Sequence, residues 1–354
     1  MAIPSSSTRS YDALLTTTLS NWLVKNAVDN IATANAFLNA LITKPGGYVA
    51  EASLGDRASV PLRYALGTPD SYGDYDTLKN NPLDGLTRAF YSWRQASSPV
   101  MISGMEEAKN SGEHAVISLL DEKTDQVMIG MREWFAKTIL QGDGINGNSI
   151  ETAFTSASNG SSFVDPLPLL VKKDPTTSTV IGNINQNTHS WWRNQLHSSA
   201  SSNYAGFLKE LSNLRLDCSK GPGGPPNFHQ TDQNSFSYYE SALRSQHRNP
   251  SYQRADIPFE SIQFHGAPVY WDEFMPCVQD GDTTLEAAKG SWFMLNTQFL
   301  TVKYHASTNF VPTEFRTPTN QDAKVSHIQW KGALCVSNRR KQGIEFNIDT
   351  TPTS

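Results

Sequence analysis

The stretch from Ser103 to Gly144, SGMEEAKNSGEHAVISLLDEKTDQVMIGMREWFAKTILQGDG, decides the fold class. Ser103 and Glu106 have the spacing of a capping box, in which the serine oxygen accepts a first-turn backbone N–H and the glutamate reaches back to the cap. Apolar residues recur at Val116, Leu119, Leu120, Val127, Met128, Met131, Trp134, Phe135 and Leu140, and Gly142-Asp143-Gly144 supplies a left-handed stop. The spacing predicts one dominant helix of roughly 38 residues, on the order of 55 Å long. Gly112 and Gly130 are the points at which it would bend or break. So long a helix needs other chain laid along it.

Upstream, two strand-like runs flank a polar segment. Val60, Leu62, Tyr64 and Leu66 alternate with Ser59, Pro61, Arg63 and Ala65, and Leu86 to Ile102 alternates again, with Tyr91 and Trp93 on one face and Phe90, Ser92 and Arg94 on the other. Between them, Gly67 to Gly85 holds Pro69, Gly73, Pro82 and six Asp or Asn residues, a loop composition. Together they predict an extended hairpin. Residues 10–43 carry helical spacing and form an N-terminal arm that Lys44-Pro45-Gly46-Gly47 ends. Downstream, helices are expected at Ser190–Leu196, Tyr204–Leu216 and Ser235–Gln246. Gly221-Pro222-Gly223-Gly224-Pro225-Pro226 makes a rigid turn, and short strands run from Ile262 to Val336. The class is α+β.

Composition narrows the function. The 354-residue chain has a net charge of -5, which disfavours a protein that grips nucleic acid by counterion release. Its three cysteines, Cys218, Cys277 and Cys335, form no CxxC pair and read as buried apolar residues of a reducing compartment with no disulfide between them. No apolar run is long enough to span a bilayer, and the first residues lack a signal-peptide core.

Known catalytic motifs are missing: there is no GxxxxGK[ST], GxGxxG, HExxH or GxSxG, and the eight histidines do not pair at metal-ligand spacing. Cys218 and His229 are the one nucleophile-and-base combination to weigh, and the bland reading, two residues without chemistry, is preferred. Asp70, Asp74, Asp76 and Asp84 lack the regular spacing of a Ca²⁺ loop and read as a solvated tip. Arg339-Arg340-Lys341 reads as a solvated edge or a subunit salt-bridge surface. No catalytic residue, cofactor or metal is expected.

Several segments together resemble the major capsid proteins of tailed bacteriophages with the Hong Kong 97-type fold. They are Trp93-Arg94-Gln95 through Ser103 to Gly112, Gly142-Asp143-Gly144, Ile181-Gly182-Asn183-Ile184 with Thr188 to Asn194, Leu295 to Leu300, and Gln321 to Lys324 with Gly332 to Gly343. They cover nearly the whole chain in order, and each is packing or turn chemistry rather than an active site.

The resemblance implies an N-terminal arm at 1–43 and an extended hairpin (E-loop) with its flanking strands at 44–99. A peripheral domain on the spine helix follows at 100–145, an axial domain at 146–304 and a return to the peripheral domain at 305–354. It implies a virion subunit, made in the bacterial cytoplasm, that assembles with itself into hexamers and pentamers around double-stranded DNA. A separate scaffolding protein, a portal and a decoration protein are the implied partners, with weak DNA contact on the inner face and no membrane. Expected intersubunit contacts are Tyr64, Asp74, Lys79, Phe90, Tyr91, Trp93, Arg339 and Arg340. Lys79 is also a candidate donor for an isopeptide cross-link, against the bland reading of a solvated lysine. The alternatives are a tail or portal protein and a cytosolic hydrolase.

Overall fold

A computed structural model describes residues 36–51, 55–67, 69–78, 84–109, 119–141, 164–198, 203–245, 262–272, 274–275 and 289–349. The strands are β1 (Tyr48–Glu51), β2 (Ala58–Arg63), β3 (Leu86–Tyr91), β4 (Arg94–Ser103), β5 (Val180–Ile181), β6 (Ile184–Asn185), β7 (Gln195–Ser198), β8 (Phe228–Thr231), β9 (Ile262–Phe264), β10 (Ala267–Trp271), β11 (Lys289–Leu295), β12 (Leu300–Pro312), β13 (Ala323–Val336) and β14 (Gly343–Asp349). Helices span Ala36–Thr43, Gly104–Lys109, Leu119–Gln141, Leu167–Leu170, Tyr204–Ser219 and Gln233–Ser245. The chain divides into two compact units.

The described part of the first unit comes from residues 96–134 and 307–330. Its strands lie in the order β12-β13-β4. The capping box forms as the sequence predicts: Ser103 N donates to Glu106 Oε2 at 3.1 Å, and Glu106 N donates to Ser103 Oγ at 3.3 Å. Lys123 Nζ meets the same Glu106 oxygen at 2.7 Å, tying the second helical stretch to the cap of the first. Helix is thus present at both ends of the expected spine and runs through Gly130 without a break, while Gly112 and Gly142–Gly144 lie outside the described residues. Gly104 N donates to Asp322 O at 3.0 Å, and a Cβ there would displace the exposed Asp322 carboxylate.

The second unit is built on a six-stranded mixed sheet of order β7-β14-β11-β8-β10-β9. Helix Tyr204–Ser219 starts at Asn203, whose side chain accepts from Ala205 N at 3.0 Å. Its Phe207, Leu211, Leu214 and Cys218 recur at helical spacing and pack with Tyr238 and Tyr239 against Phe264, Val269, Trp292, Met294 and Ile348 of the sheet. Central strand β11 is buried along Trp292-Phe293-Met294-Leu295, and this continuous apolar run marks a strand covered on both faces. Within the same unit β1 runs parallel to the start of β12, with the rings of Tyr48 and Tyr304 stacked at 4.2 Å and Lys303 paired to Glu51 at 2.9 Å. Helix Ala36–Thr43 ends at Lys44–Gly47, where Gly46 adopts φ 77° and the Lys44 ammonium donates to Thr297 O.

One expectation is corrected: Ser190–Leu196 is a single 3-10 turn, Ser190–Trp192, followed by β7 paired parallel with β14. Leu295 closes β11, Thr297–Phe299 makes a 3-10 turn and Leu300 opens β12. Cys218 and Cys335 are free and buried, and Cys277 lies outside the described residues.

Candidate functional site

Strands β2 and β3 pair antiparallel from Ala58↔Tyr91 to Arg63↔Leu86, and Tyr64 N donates to Gly85 O at 3.0 Å, so the ladder runs to the mouth of the loop. The inner face of this ribbon carries Ala58, Leu62, Ala89 and Tyr91, all buried. Its root is pinned by the β5–β6 turn. Gly182, at φ 62°, accepts from Phe90 N at 3.0 Å and lies so close that a Cβ on it would stand 2.9 Å from Ala89 Cβ. The ring of Tyr64 stacks on Trp191 at 5.3 Å, and Tyr91 Oη donates to Val336 O at 2.8 Å.

Beyond the root the loop is exposed, and Leu66, Tyr72, Tyr75 and Leu78 present apolar surface that nothing in the described residues covers. Asp74 is exposed; Asp76 accepts from Gly73 N at 2.8 Å and closes a turn. Among the described residues no group of three or more His, Cys, Asp or Glu side chains is gathered to hold a metal.

Two of the expected contact residues are corrected. Tyr91 is buried in its own subunit. Arg339 is fully buried as well: Nε donates to Leu170 O at 2.7 Å, Nη1 to Trp192 O at 2.8 Å and to Gln186 Oε1 at 3.1 Å, and Nη2 to Asn194 Oδ1 at 3.0 Å. The 3-10 turn Arg339–Lys341 points Arg339 and Lys341 inward and Arg340 outward, so the three cations do not share a solvated edge. Lys341 Nζ donates to Ser219 O, Gly221 O and Gly224 O at 2.9–3.3 Å, holding the glycine-proline turn. Gln342 and Asn296 exchange bonds at 2.9 and 3.0 Å. These interior polar side chains satisfy carbonyls of irregular segments, which water would otherwise have to reach. Of the other candidates, Tyr64, Phe90 and Arg340 are exposed, Trp93 is half-buried with partners of its own, and Lys79 lies outside the described residues.

No nucleophile emerges from Cys218 and His229. Burial pushes the Cys218 thiol up to about 12 and the His229 imidazole down to about 3, so both stay neutral at physiological pH. His229 stands instead among the rings of Phe264 and Trp292.

His197 is the one histidine held between two carboxylates, with Nδ1 2.9 Å from Glu210 and Nε2 2.9 Å from Asp217 among the described residues. Burial alone would lower its pKa, but the hydrogen bonds and charges of Asp217 and Glu210 outweigh that and hold it above 6.5. The hydrogen bond from Lys220, then that from His197, holds Asp217 below 3.8. The histidine contribution is complete below 6.5 and is lost as pH rises through the folded value. The aspartate contribution is complete above 3.8 and is lost as pH falls through the folded value. Stability from this trio is therefore greatest between 3.8 and 6.5. Denaturation midpoints of His197→Gln against the parent should differ more at about pH 5.5 than at about pH 8.5, and an equal difference at both would contradict the pairing.

No family model matches the sequence, and no curated protein matches it. Solved structures do match along almost the entire chain. The cyanophage A-1(L) capsid is similar with a TM-score of 0.66 at 12% identity, covering 94% of this chain and 97% of that one. The capsid of a native GTA particle is similar at 0.57 and 10% identity, covering 98% and 100%. The SrpI encapsulin of Synechococcus elongatus PCC 7942 is similar at 0.55 and 11% identity, covering 99% and 98%. Coverage that complete in both directions leaves no unmatched domain on either side, and the chain has the Hong Kong 97-type capsid fold.

Proposed function

We infer that the chain is the major capsid protein of a tailed bacteriophage, a structural subunit without catalytic activity. The observation that carries this reading is the two-way match to the cyanophage capsid. Residues 1–43 serve as the arm, 44–99 as the extended hairpin with its flanking strands, 100–145 with 305–354 as the peripheral domain and 146–304 as the axial domain. Copies assemble into hexamers and pentamers around double-stranded DNA, with a scaffolding protein, a portal and a decoration protein as partners. The ribbon supports the reading from physical grounds: two-stranded ribbons are marginal alone in water, and this one extends exposed Leu66, Tyr72, Tyr75 and Leu78, which neighbouring copies would cover. The low pKa of His229 and the high pKa of Cys218 speak against this pair as general base and nucleophile. Among the described residues no helix is long and apolar enough to cross a membrane.

The encapsulin match supports a second reading, a compartment that is not viral. Phage capsids score on both sides of the encapsulin, 0.66 and 0.52 against 0.55, so the contents of the shell separate the two readings. Co-expressed with its scaffold, the 39.1 kDa chain should sediment as particles of megadalton size, and those recovered from lysed cells should hold DNA. A chain that stays monomeric with every phage-encoded partner contradicts the shell, and shells from lysates that never hold DNA favour the compartment.

A further inference from the structure

Strand β7 is an edge of the six-stranded sheet, paired with β14 on one side only, and its residues are half-buried or exposed. Its first residue is anchored, since Gln195 N donates to Gln342 O at 3.0 Å. Toward its outer end, His197 reaches across to the helix Tyr204–Ser219 and stands between Glu210 and Asp217, which lie about 10.5 Å apart along the helix axis. The helix is the fixed partner: Phe207, Leu211, Leu214 and Cys218 bury it on the sheet, and Lys341 Nζ donates to the carbonyls of Ser219 and Gly221 at its end.

The ionisable groups around the imidazole come from three places. Glu210 and Asp217 lie on the helix, Lys220 just past it pairs with Asp217 at 2.6 Å, and Glu345 on β14 is in register with His197. A Cβ on Gly343 would point at Cys218 and Leu214 of the helix, so Glu345 turns its carboxyl to the same side, where it is buried with a partner of its own.

Ionised carboxylates accept and cannot donate, so both ring nitrogens must carry hydrogen for this bridge to exist. Only the imidazolium meets that demand. A neutral ring keeps one N–H and turns a lone pair toward the other carboxylate at 2.9 Å. The hydrogen then stays on Nδ1, because Asp217 retains Lys220 whereas Glu210 has no second cation among the described residues. We propose that His197 is a proton-operated latch: protonated, it clamps the outer end of β7 to the helix; neutral, it releases Asp217 and lets His197 and Ser198 open from Glu345 and Phe346 of β14. The strand yields rather than the helix, because it has one sheet neighbour and little burial. Burial opposes the charge on His197, but the bonds to Asp217 and Glu210 outweigh it, so the latch is closed below 6.5 and opens as pH rises through the folded value. It lies within one chain, and no shell is needed to observe it.

Hydrogen exchange on the full-length free subunit, corrected for the pH dependence of the intrinsic rate, reads the latch. Between about pH 5.5 and about pH 8.5, protection of Gln195–Ser198 should fall about threefold, the size of one partly exposed ion pair, while the helix Gln233–Ser245 stays constant. His197→Gln has no charge to lose and should show the low protection at both pH values. Nitrogen-15 shifts of the parent ring, assigned by their loss in His197→Gln, should place the hydrogen of the alkaline form on Nδ1. Unchanged protection of Gln195–Ser198 in the parent, or the same fall in the His197→Gln chain, overturns the latch. An equal fall in Gln233–Ser245 marks global loosening and overturns it as well, and an alkaline ring carrying its hydrogen on Nε2 overturns the release of Asp217.

Discussion

Arg339→Ala should cost about 3 kcal/mol or more, because each buried acceptor left without a donor costs about 1–3 kcal/mol. The oxygens of Leu170, Trp192 and Gln186 lose the Arg339 donor together at a fully buried site, while Asn194 Oδ1 keeps the backbone N–H of Lys172 at 3.1 Å. The guanidinium also leaves the face of Trp192, 5.9 Å away. Burial lowers the Arg339 pKa to about 10, so it remains a cation at neutral pH and its five-donor fork has no substitute. Arg339→Lys should recover only part of the loss, because an ammonium cannot reach four acceptors in one plane. The neighbouring Arg340→Ala removes an exposed cation and should shift stability by no more than about 0.5 kcal/mol. Urea denaturation of the three variants checks this; equal effects at 339 and 340 would sink the account of a buried centre.

Replacing Thr68 to Asp84 by a short Gly/Ser turn should leave a soluble subunit of near-native secondary structure and abolish shells. The described residues of the segment are exposed, so its removal gives up little burial within the chain. The root survives, because Tyr64 still bonds Gly85, Phe90 still bonds Gly182 and Tyr91 still bonds Val336. What is lost is the surface offered to neighbours. Protease should nick this segment in free subunits and spare it in mature shells. Were the shortened chain to build shells of normal size and heat resistance, the hairpin would not be an intersubunit strap and the assignment of 44–99 would be withdrawn.

Local chemistry was legible and long-range pairing was not. The Ser103–Glu106 box formed both of its bonds because every group involved lies within four residues of sequence. The β2–β3 ribbon followed from alternation around a polar turn. Ser190–Leu196 was misread because Trp191, Trp192 and Leu196 also suit a short helix, whereas the parallel partner that makes β7 a strand, Gly343 to Phe346, stands far away in sequence. Tyr91 was placed at an interface because aromatic residues beside a loop resemble a docking edge. Its burial depends on the β5–β6 turn and on Val336. Arg339 and Lys341 were hidden for a related reason. A run of cations normally faces water, and only the carbonyls brought from 170–194 and 219–224 turn two of the three inward. The flanking Asn338 and Gln342, amides that suit a buried turn, were the available signal.

Electron microscopy of particles purified with the scaffold tests the central claim most directly. The account predicts closed shells in which this chain forms both six-membered and five-membered capsomers, with each hairpin lying over a neighbouring subunit. Particles built only as one cyclic ring or an open tube, with no closed shell under any condition, would contradict it.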